Sequence, residues 1–291
     1  MCSTRNEFFN NMPPFAWLLP FWAHWIYTQE DTTMKKLVRN ASAVALLLYF
    51  GLTTISVMAD DHKDKGADKE MLAEMWIMVP KEGKQEALEQ ALKEHVKFRK
   101  SKNDPREWHA YVPVLGNKLN RLAVRANQFT WADMDSHDEW ATKEGISENW
   151  QQTADQYVDH YHHYLAVEDH ENSHWGPDVE YKYVGVTSYQ PKLGHGSAIS
   201  DDLKTMADAA RAEKWPYNWA FSWAVGGEGE LSLAVPYKNW AEMAPPEQKF
   251  MEILASHMGS EDEAKTLMER WAGHFEKIEH NIWERRSDLT E

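Results

Sequence analysis

His109 and Tyr111 stand two residues apart in the run Trp108-His109-Ala110-Tyr111. In an extended strand that spacing puts both side chains on one face, an imidazole beside a phenol. Such a pair suits hydrogen bonding to a ligand and, for His109, proton transfer or axial ligation of haem. A histidine satisfied by a backbone group or a carboxylate is the competing reading. Arg121 and Arg125 are four apart in the next apolar run, so they share a strand face with Ala123 and Asn127. Two guanidiniums on a central strand must be paired or must meet an anion. A carboxylate or phenolate ligand is one explanation, and ion pairing with the chain's own acids is the other. The densest histidine cluster is Asp159-His160-Tyr161-His162-His163, followed by His170 and His174. On a continued helix His160 and His163 share a face. His170, Asp159 or Glu168 would then be the further ligand of a metal site. The spacing fits no standard zinc motif, so a metal is not favoured.

Other chemistries are excluded by what the chain lacks. It has no P-loop, no GxGxxG and no GxSxG. Its one cysteine is Cys2, which removes thiol catalysis, cysteine-built zinc sites, iron–sulfur clusters and disulfides from the rest of the chain. The formal charge of −15 over 291 residues disfavours nucleic acid or an anionic membrane as partner.

Tryptophan is abundant. Of the fifteen tryptophans, twelve follow Ala59. They point either to an aromatic-lined pocket for a flat apolar ligand or to bulky core filling. In the pocket reading Trp76, Trp108 and Trp131 wall a site in which His109, Tyr111, Arg121 and Arg125 orient the ligand.

The N-terminal region reads as an address. From Met34 the chain runs MKKLVRNASAVALLLYFGLTTISVMA. Lys35, Lys36 and Arg39 form a basic n-region, Ala41 to Ile55 an apolar stretch short for a membrane span, and Val57-Met58-Ala59 a cleavage site. Residues 34–59 are therefore expected to be a secretory signal peptide cleaved near Ala59. The mature protein is then periplasmic or secreted, with no stable membrane insertion. Residues 1–33, upstream of that signal, are expected to be an extension from a start codon assigned too early.

The elements that position these groups follow from a repeat. WADM at 131–134 returns as WAEM at 240–243, 109 residues on. The same shift places Met75–Val79 on Val184–Ser188 and brings Trp108–Tyr111 within two residues of Trp219–Trp223. Near the end, His163-Tyr164-Leu165 resembles His280-Asn281-Ile282 at a shift of 117. In the first unit the pattern predicts a strand at 75–80, a helix at 83–100, strands at 107–114 and 119–129, a helix at 136–160 and a strand at 163–168. The second unit predicts a strand at 181–189, a helix at 201–213, strands at 217–225 and 230–236, helices across 246–277 and a strand at 279–284. Each order is β-α-β-β-α-β, the ferredoxin-like arrangement. The fold expected is α+β, with two tandem ferredoxin-like units at 72–170 and 179–288. The strands are apolar on both faces, as in Trp76-Ile77-Met78-Val79. This predicts antiparallel sheets packed face to face, an intrachain α/β barrel.

This order and duplication, over about residues 72–288, resemble the dimeric α/β-barrel superfamily, which includes antibiotic-biosynthesis monooxygenases and Dabb proteins. The resemblance implies a cavity for a small molecule, in some relatives haem. It supplies no functional motif and leaves open whether the chain is an enzyme. The function expected is an exported small-molecule-binding or cofactor-poor oxygenase-like protein, able to form oligomers, that takes a small aromatic or anionic molecule. A haem-binding protein and a non-enzymatic cell-envelope module are the alternatives.

Overall fold

The computed structural model describes residues 70–226 and 230–291. The expectations for residues 1–33 and for a signal at 34–59 concern segments outside the described residues. The first half runs β1 (Leu72–Pro80), α1 (Gln85–Ser101), β2 (His109–Leu115), β3 (Leu122–Phe129), α2 (Trp131–Glu144), α3 (Ile146–Thr153) and β4 (Val158–His174). The second half runs β5 (Tyr183–Pro191), α4 (Gly196–Ala212), β6 (Trp219–Val225), β7 (Leu231–Tyr237), α5 (Phe250–Met258), α6 (Glu261–Gly273) and β8 (Phe275–Arg285).

All eight strands pair antiparallel in the order β1-β3-β2-β8-β5-β7-β6-β4, and β4 returns to β1 to close a barrel. The α+β barrel expected from the sequence is present, and its two four-stranded sets meet edge to edge at both seams rather than by stacked faces. The reason is the edges themselves. In separate sheets β2 and β6 would each leave a row of backbone N–H and C=O groups unpaired. Pairing β2 with β8 and β6 with β4 satisfies both rows.

Alternation then sorts the side chains between a helix-covered outside and an inside, the lumen. On β7, Leu231, Leu233, Val235 and Tyr237 point outward and are buried beneath helices, while Ser232, Ala234 and Pro236 point inward and are half-exposed. On β6, Trp219 and Phe221 are buried outside, and Ala220, Ser222 and Ala224 line the lumen. The outer layer of the second half is packed with Trp219, Trp271, Tyr189 and Phe250, all at or below 2% exposure. Burial of each such side chain contributes on the order of 2 kcal/mol. The first half has a lighter outer layer of Met78, Leu88, Leu92, Ala110 and Leu122.

Two elements differ from the sequence pattern. The helix expected over 136–160 is two helices, split at Gly145. That residue adopts the left-handed conformation (φ +69°) that closes α2, a conformation glycine takes at little steric cost. The last strand of the first half is far longer than expected, because β4 is hydrogen-bonded along both flanks, to β1 and β6. WADM opens α2 with Thr130 as cap and Asp133 completing a capping box. WAEM forms a short 3-10 turn capped by Asn239.

Candidate functional site in the barrel lumen

The first half supplies the polar wall of the lumen. On β3, Leu122, Val124 and Ala126 pack outward, so Ala123 and Arg125 turn inward; Arg121 immediately precedes the strand, within electrostatic reach of Tyr164 and Glu279. On β2 the inward residues are His109 and Tyr111, register partners of Arg125 and Ala123. On β4 they are Tyr164, Ala166 and Glu168. From the other half, β8 contributes Trp283 and Arg285, the latter paired in register with Tyr111. The β4–β5 connection lays Trp175 and Tyr181 against this cluster.

The hydrogen bonds define its chemistry. Arg125 donates to Glu168 at 3.3 Å. The Tyr111 and Tyr181 hydroxyls are 2.7 Å apart. Burial holds Tyr111 far above the usual phenol range, with the neighbouring Tyr181 adding to it, so Tyr111 stays protonated. Tyr164 is raised for the same reason. Arg285 approaches His109 Nδ1 at 3.1 Å and lies 5.4 Å from the Tyr181 ring.

That contact fixes the histidine. A guanidinium can only donate, so Nδ1 must be the accepting nitrogen and the proton sits on Nε2. Burial, and then the Arg285 charge, lower the His109 pKa, which keeps the ring neutral. His109 is thus a hydrogen-bond donor through Nε2, with Glu107 3.8 Å away.

The charges do not cancel. Glu168 answers Arg125. Among the described residues neither Arg285 nor Arg121 has a carboxylate within ion-pair distance. Burial lowers the Arg121 pKa, offset by the more distant Glu279. The lumen of an acidic chain therefore carries two uncompensated guanidiniums.

The remaining expected site residues lie elsewhere. Trp76 and Trp108 point outward, on the opposite strand face from His109 and Tyr111, and so do not wall the same chamber. Trp76 donates to Glu74 at 2.8 Å and stacks on His163 at 3.7 Å. Trp108 donates to Asp104 at 3.2 Å under the Arg99 guanidinium. Trp131 sits at the start of α2, 38% exposed, and donates to Glu70. His160 and His163 are on strand β4, not a helix, and three residues apart on a strand means opposite faces. His160 contacts Asp159, His163 contacts Glu74 and His170 contacts Glu168. Among the described residues no three His, Cys, Asp or Glu side chains are placed to hold a metal ion.

Haem needs a broad slot and an axial donor such as histidine. A cavity of about 320 Å³ beside Trp215 and Tyr217 and a gap of about 10 Å³ between α4 and β6 have no histidine in their linings. The second is large enough for roughly one water.

No protein-family profile matches the chain, and no curated protein matches it. Among solved structures it is similar to an anthrone oxidase-like protein at 9% identity and a TM-score of 0.48, covering 76% of this chain and 93% of that one. It is also similar to a mutant chlorite dismutase from Candidatus Nitrospira defluvii at 8% identity and a TM-score of 0.47, covering 76% and 96%. At these levels neither activity transfers to this chain.

Sequence reasoning missed Arg285, Glu168 as an Arg125 partner, Tyr164 and Tyr181. The signal for Arg285 was present: it alternates with Trp283 on the last strand, as Tyr111 does with His109 on β2.

Proposed function

We propose that this protein binds a small anionic molecule in the barrel lumen. The observation that carries the reading is Arg285. It is held inside the barrel between the His109 ring and the Tyr181 face, with no carboxylate partner among the described residues. A guanidinium in a confined space is stable only with an anion or with water, and its planar fork suits a carboxylate. Arg121 adds a second positive charge. His109 Nε2–H and the Tyr111–Tyr181 hydroxyl pair supply further donors, and Trp175 and Trp283 supply apolar sides.

In this reading the two halves are tandem ferredoxin-like units in which the first half and β8 carry the polar groups. Support comes from the repeated element order and the equivalent strand order, β4-β1-β3-β2 and β8-β5-β7-β6. We further propose that the barrel works outside the cytoplasm, on the signal-like sequence at 34–59; N-terminal sequencing of the cell-envelope form should begin near Asp60.

Calorimetric titration of the full chain with benzoate tests the binding. Arg285→Gln should weaken it at least tenfold with thermal stability retained. Unchanged affinity in Arg285→Gln and in Arg121→Gln would remove the lumen as the site.

A further inference from the structure

The wall of the lumen facing the arginines has its own pattern. Ser188 on β5 is the register partner of Ser232 on β7, and Ser232 is the partner of Ser222 on β6. Ser222 in turn pairs with Glu168 on β4, and Ser188 with Glu279 on β8. Register partners share a sheet face. Val184, Val186 and Ala234 on these strands pack in the lumen cluster, so the whole row faces inward. Three hydroxyls stand about 5 Å apart, a row of roughly 10 Å, with a carboxylate at each end. All three serines are half-exposed, and their hydroxyls make no hydrogen bond to the described residues.

A second, independent group points into the same space. Tyr164 lies deep in the lumen, beside Met75, its register partner on β1. Its hydroxyl has no hydrogen-bond partner among the described residues, and burial keeps it protonated as a donor. Arg125, Arg121 and Glu230 all act on it electrostatically, which places it between the cationic wall and the second half.

Both observations concern hydroxyls without partners, and a hydroxyl both donates and accepts. An alkyl or unsubstituted aromatic body lying on this row would strip water from four hydroxyls and return nothing. A body that carries alcohols would exchange one set of hydrogen bonds for another. The strand register sharpens the contrast: the positions that hold Arg125, Ala123 and Tyr111 in the first half hold Pro236, Ala234 and Ala220 in the second. One wall offers long cationic and phenolic groups; the other offers small residues, with hydroxyls among them.

We infer that the lumen ligand is a polyhydroxylated carboxylate, of the sugar-acid class. The arginines hold its carboxylate, and Ser188, Ser222, Ser232 and Tyr164 bind its hydroxyls. This inference rests on the anion reading above and adds the chemistry of the ligand's body.

The test is calorimetric titration of the full chain with two probes of equal carbon number and charge, gluconate and hexanoate. Gluconate is expected to bind at least tenfold more tightly, since each net hydrogen bond is worth several-fold in affinity. The Ser188→Ala/Ser222→Ala/Ser232→Ala variant should weaken gluconate several-fold and tighten hexanoate, so that the gap between the two probes closes. Arg285→Gln should weaken both. Equal affinity for the two probes in the unmodified chain, with both weakened by Arg285→Gln, would overturn the hydroxyl row and spare the anion site. Tighter binding of hexanoate would overturn it likewise. If neither probe binds, the anion reading falls and the inference with it. The comparison in the unmodified chain decides the matter even if the serine variant fails to fold.

Discussion

His95 should make this protein acid-sensitive in a window set by one buried ring. It lies on α1 at 5% exposure, with Nδ1 2.8 Å from Asn149 Oδ1 on α3 and its ring 5.0 Å from Trp150. Burial, and to a lesser degree the Arg99 charge, lower its pKa from 6.5 to about 4, against the raising effect of its bond to Asn149. In the folded protein the ring is therefore neutral down to about pH 4, whereas in the unfolded chain it takes up a proton near 6.5. Folding stability is at its full value above pH 6.5, falls between 6.5 and 4, and is level below 4 as far as this group is concerned. The span corresponds to about 3 kcal/mol. Other groups titrate in or near this range, so the test is a difference. His95→Gln keeps an N–H donor toward Asn149 and cannot titrate. Urea unfolding of both proteins at pH 7, 6, 5 and 4 gives the stability gap between them. That gap should shift by about 3 kcal/mol toward the variant across the series. A gap constant to within about 0.5 kcal/mol over the same range would refute the assignment of a depressed pKa to His95.

Three other perturbations have definite outcomes. Asp202, 2% exposed on α4, accepts from Arg270 and from His274 Nε2 at 3.0 Å, and His274 meets His195 at 2.9 Å. Asp202→Ala strands the buried His274 N–H and should cost about 2 kcal/mol or more; a melting temperature within a degree of the parent would contradict this. Trp271 is fully buried with its indole N–H unsatisfied, so Trp271→Phe should cost less than about 2 kcal/mol while Trp271→Ala costs about 3–5. Equal costs in denaturant unfolding would count against that reading. Gly116 has φ +128°, and a Cβ there would run into the Asn281 side chain. Gly116→Ala should destabilise by about 1–3 kcal/mol, whereas Gly196→Ala, with open space around it, should stay within about 0.5 kcal/mol.

Much of the fold was legible because two periodicities dominate the chain. The alternation of large and small residues in Trp219-Ala220-Phe221-Ser222-Trp223 marks β6 and both its faces, and the repeat of WADM as WAEM aligns the halves. What the residues could not reveal is how the sheets meet. Both a stacked pair and a closed barrel bury one face of every strand, and only the β2–β8 and β4–β6 pairings distinguish them. The candidate site was half legible. Strand alternation groups His109 with Tyr111 on one face of β2, and the same rule sends Trp76 to the outer face of β1, which an appeal to aromatic abundance obscured. Most of the tryptophans serve the helix-covered layers, where Trp215, Trp219 and Trp271 are buried. Arg285 could not be joined to His109 from sequence, since 176 residues separate them and only barrel closure brings them to 3.1 Å. The histidine run at 160–163 reads as a helix end or a strand equally well locally; pairing of β4 on both flanks decides it.

The anion site in the lumen can be seen directly. Crystals of the protein soaked in sodium iodide, with anomalous diffraction recorded, locate a heavy anion without assuming any natural ligand. The account predicts an anomalous peak inside the barrel within contact distance of the Arg285 guanidinium, and a weaker one toward Arg121. Iodide bound only on the outer surface, with the lumen empty and Arg285 turned to a carboxylate, would contradict it.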